Sequence, residues 1–196
     1  FKGLNMSLIK KLSFFGICFA FVVIALGAWT RLVDAGLGCP DWPGCYGFVV
    51  FPTTEAEILL AEQRYPQFPY EIDKAIPEVV HRYFAAALGF IAILLVAFAF
   101  KYNLPKKIKA ITSFLLFFIC CQGLFGYLTV SLKLLPIIVT GHLFGGFITL
   151  SLFFYLFLST TDGIRNHQIG HLKILGGIAL IALLIQIFLG VWTSTH

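Results

Sequence analysis

Long apolar runs fenced by basic residues alternate with short polar connections along this chain, and one long polar stretch interrupts the alternation. A helix that crosses the roughly 30 Å hydrocarbon layer needs about 20 predominantly apolar residues. Five windows meet that requirement: Leu12–Thr30, Tyr83–Phe100, Ala110–Leu132, Pro136–Ser159 and Ile174–Thr193. The first is too long, and too poor in a small-residue cleavage site, to be a signal peptide. The pattern predicts an all-α integral membrane protein in which the second to fifth windows follow a long loop over 31–80.

Basic residues near span ends set orientation, because they are retained on the cytoplasmic side. Lys2, Lys10 and Lys11, then Lys101, Lys106, Lys107 and Lys109, then Arg165 and Lys173 all fall on one side. The N-terminus is therefore expected in the cytoplasm and the 31–80 loop outside, in the periplasm of a bacterial inner membrane. Prolines at 40, 43, 52, 66, 69 and 77 keep most of that loop irregular. One island is different. Thr54-Glu55-Ala56-Glu57 has capping-box spacing ahead of Ile58, Leu59 and Leu60, which predicts a short helix over 55–65.

The chain also repeats itself. Gly27-Ala28-Trp29-Thr30 closes the first span and Gly190-Val191-Trp192-Thr193 the fifth, while Gln122 to Thr129 matches Gln186 to Thr193 at its Gln, Gly and Thr. The expected organisation is a four-helix transmembrane bundle over 1–160, with 161–196 holding a cytoplasmic loop and the first helix of a second, pseudo-symmetric four-helix half that continues past the last residue.

Composition agrees with the pattern: 59% hydrophobic and 12% charged residues over 196 positions, with a mean hydropathy of +0.93. A net charge of +5 does not point to nucleic acid, because the basic residues form no face with interleaved aromatics.

Candidate chemistry concentrates at the outer ends of the spans. Ionisable side chains at membrane depth are costly, so His81 and His142 are site candidates, although a lone membrane histidine serves packing or hydrogen bonding as readily as ligation. Taking Pro77 and Pro136 as the first turns of their helices, the two histidines differ in depth by only about 3 Å. Two imidazoles at one depth on neighbouring helices suit the two axial faces of a haem iron. Glu78 shares a helical face with His81. It reads either as a carboxylate beside a bound porphyrin or as a favourable charge in a first helical turn, and spacing alone favours the latter. Arg31 and Arg82 suit haem propionates or simple snorkelling. Cys39 and Cys45 stand on the oxidising side, where a structural clip and an exchangeable disulfide are both open. Cys18, Cys120 and Cys121 read as small apolar residues, and His167 and His171 as solvated.

Gly27 to Gly47, with its Cys39-Pro40-Asp41-Trp42-Pro43-Gly44-Cys45 block, resembles the heme A synthase family, as do Glu78-Val79-Val80-His81-Arg82, Gln122-Gly123-Leu124-Phe125-Gly126 and Val139-Thr140-Gly141-His142-Leu143. The resemblance implies oxidation of the C8 methyl of heme O to the formyl of heme A, through a hydroxylated intermediate, to supply terminal oxidases. It implies His81 and His142 as axial ligands of heme O or heme A, Glu78 as the acidic catalytic residue, and Cys39 with Cys45 as the outer-loop pair. A heme b would belong to the second half. Candidate partners are the lipid bilayer, a heme O synthase, terminal oxidase assembly factors and a second copy of the chain. Two other readings compete. A quinone-linked thiol oxidoreductase would use Cys39 and Cys45, and a non-enzymatic di-histidine electron carrier would hold haem without modifying it.

Overall fold

The computed structural model describes residues 2–161 and 170–195, all helix and connecting loop. The helices are α1 (Lys2–Leu32), α2 (Glu55–Arg64), α3 (Ile72–Lys101), α4 (Lys106–Ser131), α5 (Pro136–Ser159) and α6 (Gly170–Thr195). Of these, α1, α3, α4 and α5 are long and apolar enough to cross a membrane, which makes this a multi-pass membrane protein. The fifth expected span falls on α6, whose described residues over 175–190 are apolar except for Gln186 and largely exposed. Arg165, His167 and His196 lie outside the described residues, as does the side chain of His171.

α1 packs on α3 and α5, and α4 packs on the same two helices. The four therefore form a square with α3 and α5 on one diagonal. Leucine gains little over lipid tails by touching another leucine, so close approach of helix backbones has to hold such a bundle. Ala20, Ala92 and Ala99 are buried where the helices meet, and a Cβ on Gly16 would run into the ring of Phe153. Ser13, Thr112 and Thr149 are buried in the same layer, each hydroxyl donating to the carbonyl four residues back.

This dense packing occupies only the half of the bundle nearer the start of α1. From Leu116 to Ser131 on α4 and from Pro136 to Phe144 on α5, no residue is fully buried. The half nearer the 31–80 loop is the looser half, and it contains His81 and His142.

The 31–80 loop is a folded cap with its own core of Cys39, Cys45, Tyr46, Ala61, Ala75 and Val79. Cys39 and Cys45 are joined by a disulfide. Cys45 and Phe48 exchange backbone hydrogen bonds of 2.9 and 3.0 Å around Tyr46 and Gly47, both at positive φ, a tight primed turn in which glycine suits the second position. Tyr46 packs edge-on against Tyr65 and Tyr70 and donates its hydroxyl to the Pro69 carbonyl. Burial, helped by nearby carboxylates, pushes its pKa up to about 12.

The short helix forms over Glu55–Arg64 as its sequence predicts, with both halves of the capping box made. Backbone N–H groups of Thr53 and Thr54 donate to the Glu57 carboxylate and hold its pKa below the usual value. Thr54→Ala removes one half of the box. We expect amide hydrogen exchange across α2 to rise roughly fivefold, with the membrane bundle unaffected.

One boundary differs from expectation. α3 begins at Ile72, so Pro77 lies inside the helix and not in its first turn. The amide missing at Pro77 would have paired with the Asp73 carbonyl, and Asp73 is exposed, where water can serve that carbonyl instead. α3 thus rises above the bundle and into the cap.

Candidate functional site

His81 and His142 stand on α3 and α5, which are diagonal partners and not neighbours as expected, and they meet across the interior of the bundle. Their ring centroids are 6.4 Å apart and their planes lie at 87°. Two imidazoles on opposite faces of one metal, with metal–nitrogen bonds of about 2 Å and each ring centre about 1.2 Å behind its nitrogen, put their centres roughly 6.4 Å apart. The spacing fits an ion held between them.

Each ring lies close to a glycine on a neighbouring helix. The Nδ1 of His81 lies 3.1 Å from the Val23 carbonyl on α1, a contact that orients the ring and leaves Nε2 for another partner. A Cβ on Gly27, one turn further along α1, would lie 2.9 Å from Cε1 of His81. Gly126 on α4 stands in the same relation to His142, at 3.6 Å from its Cε1. The Nδ1 of His142 is buried without a hydrogen-bond partner among the described residues. A buried imidazole nitrogen with no protein partner is poorly satisfied by the protein alone, and the two glycines let both rings seat close against α1 and α4. The residues present fit a haem.

The remaining predicted residues gather above the histidines. Glu78, 5% exposed, accepts the backbone N–H of Cys39 at 2.9 Å and pairs with Arg82 four residues on. Thr30 donates to the Pro77 carbonyl at 3.2 Å and pins α1 to α3 at this level. The Arg82 Nη atoms are engaged by backbone carbonyls of the cap as well as by Glu78. Arg31 lies 3.9 Å from the exposed Asp34 carboxylate, at the end of α1. Both disulfide cysteines are fully buried. Cys18 and Cys120 face outward, and Cys121 is half-buried.

Gly27, Gly126 and the Val23 carbonyl contact the histidines and carry no chemistry of their own. Glycine inside an apolar helix is a signal of close approach, but it does not say to what. A carbonyl partner leaves no mark in the sequence at all.

Fold and site together define a polytopic membrane protein whose bundle brings two histidine rings to within metal-spanning distance, under a disulfide-closed cap. The chain belongs to the COX15-CtaA family of cytochrome oxidase assembly proteins, whose model matches residues 10–196. It is 40% identical over 181 residues to the heme A synthase of Shewanella oneidensis, an alignment that takes in 91% of this chain and 54% of that protein. The chain thus spans about half the length of the curated relative it matches. No solved structure matches it.

Proposed function

We propose that this bundle is the substrate-haem site of a heme A synthase, taking heme O and releasing heme A for terminal oxidases. The observation that carries the reading is the His81–His142 pair, held 6.4 Å apart across the bundle with an orphaned nitrogen on His142. When bound, the haem supplies the iron and the C8 methyl group to be oxidised. The chain's own residues bind and orient it. His81, steadied by Val23, and His142 would hold the iron, while Gly27 and Gly126 let the two rings sit close against α1 and α4. Glu78, three residues before His81 on α3, serves as the proton acceptor for the methyl oxidation. Arg31, at the outer end of α1, is placed to meet a haem carboxylate at the membrane surface.

The similarity to a heme A synthase favours an enzyme over the electron carrier. Burial of both Cys39 and Cys45 weighs against a thiol oxidoreductase, because exchange needs a thiolate to reach a disulfide sulfur. The positive flanks of the spans support a cap on the periplasmic face of the inner membrane. A heme b in a second half, a heme O synthase, oxidase assembly factors and self-association remain part of the same proposal.

Mass spectrometry of porphyrins extracted from the intact natural protein tests it. Heme O, its hydroxylated form or heme A is the expected result. Heme b alone would favour the electron carrier, and no porphyrin at all would overturn the haem reading.

A further inference from the structure

The disulfide-closed segment 39–45 is arranged around one cation. Arg82 Nη1 donates to the Asp41 carbonyl at 2.8 Å and to the Gly44 carbonyl, with the Pro43 carbonyl at 3.4 Å, while Nη2 donates to Glu78. The second Glu78 oxygen takes the N–H of Cys39, at the opening of the same ring. The side chains of Arg82 and Glu78 are only 13% and 6% exposed. A charge so far out of water has to be matched by acceptors fixed in place, and a flexible loop would lose entropy each time it gathered three carbonyls around a guanidinium.

Three features hold the ring in that shape. The disulfide closes it. The Asp41 carboxylate accepts the N–H groups of Tyr46 and Gly47, tying it to the turn that follows. Gly38 lies so close to α3 that a Cβ there would overlap the Lys74 carbonyl. The ring also reaches α4, where Trp42 meets Tyr127 edge-on, one residue from the glycine beside His142.

We propose that Arg82 is a positioning residue and that the Cys39–Cys45 ring is its receptor. The ring fixes the guanidinium, the guanidinium fixes Glu78, and Glu78 is held three residues from His81 on the same helix. In this arrangement the disulfide acts by shape, as the closure of a carbonyl cup, and not by exchanging electrons. Arg82, four of whose contacts are to protein, is not the group that meets a haem carboxylate. The assignment rests on the haem reading only for its catalytic consequence. The link from ring to Arg82 to Glu78 stands on geometry.

The test uses the intact natural protein in detergent, as wild type, Arg82→Gln, Arg82→Lys and the double variant Cys39→Ser with Cys45→Ser. Backbone hydrogen exchange over 39–48, haem content, and kcat and KM for heme O are measured on each. Arg82→Gln is expected to speed exchange of the Cys39, Tyr46 and Gly47 amides roughly tenfold or more. It should lower kcat roughly tenfold while KM and haem content change by less than about twofold. Arg82→Lys recovers part of both effects, since an ammonium can reach some carbonyls but not hold the fork. The double serine variant loosens the same amides with Arg82 still present, and it decides the matter should Arg82→Gln fail to fold. Unchanged exchange with a raised KM or lost haem would make Arg82 a haem-carboxylate ligand and overturn the proposal. Unchanged exchange and unchanged kcat would overturn it equally. A wild type that converts no haem would sink the haem reading, while the exchange data would still judge the link.

Discussion

Replacing His81 or His142 by alanine should lower heme A formation at least roughly tenfold, since even outer partners of a metal ligand cost 10- to 100-fold when removed. The two substitutions are not equivalent structurally. His81 is backed by Val23 and Gly27 on α1, and its loss leaves a gap between α1 and α3. His142 has no hydrogen bond at Nδ1 among the described residues, so its loss removes an unsatisfied buried nitrogen. His142→Ala should therefore leave thermal stability unchanged or slightly raised without haem, and yet abolish the low-spin signal that depends on heme O. Added imidazole should restore part of that signal in either variant by entering the vacated position. The check is haem analysis of membranes supplied with heme O, with near-normal heme A in both variants counting against the ligand assignment.

The second large effect is expected at a residue with no chemistry. Gly38→Val would push a side chain into the backbone of Lys74 and Ala75 at the start of α3. Neither can yield like a flexible side-chain end, so the cap has to lift. The overpacking costs about 1–3 kcal/mol or more. Lifting also breaks the Cys39 N–H bond to Glu78, a charge-assisted bond of about 1.5–3 kcal/mol. Thermal unfolding should fall by several degrees and activity should drop with it. Gly123→Val, at a position where a Cβ meets nothing within 4 Å, is the control and should change neither. A Gly38→Val protein as stable and active as wild type would mean the cap does not seat on α3 as described.

The parts of this structure that were legible from sequence are those whose cause is local. The length of an apolar run is set by the bilayer, so α1, α3, α4 and α5 could be counted directly. The capping box at Thr54 is a contact between near neighbours and was readable for the same reason. The misreadings were failures of three-dimensional context. Pro77 suggested a helix start because proline fits a first turn best, but an exposed preceding turn let α3 continue upstream to Ile72. His81 and His142 were read as a pair from depth alone, and depth cannot say whether two helices are neighbours or diagonal. Arg82 showed only a charge near a membrane boundary. Its acceptors are mostly backbone carbonyls, which every residue carries and no sequence distinguishes.

The most direct test of the His81–His142 site is the low-temperature paramagnetic resonance spectrum of the intact natural protein loaded with ferric heme O, in wild type, His81→Ala and His142→Ala. The heme O-dependent part of the wild-type spectrum should be low-spin and strongly anisotropic, as two axial imidazoles with planes near the observed 87° require. Each alanine variant should replace that signal with a high-spin one. A low-spin heme O signal that survives both substitutions unchanged would show that the haem is held elsewhere.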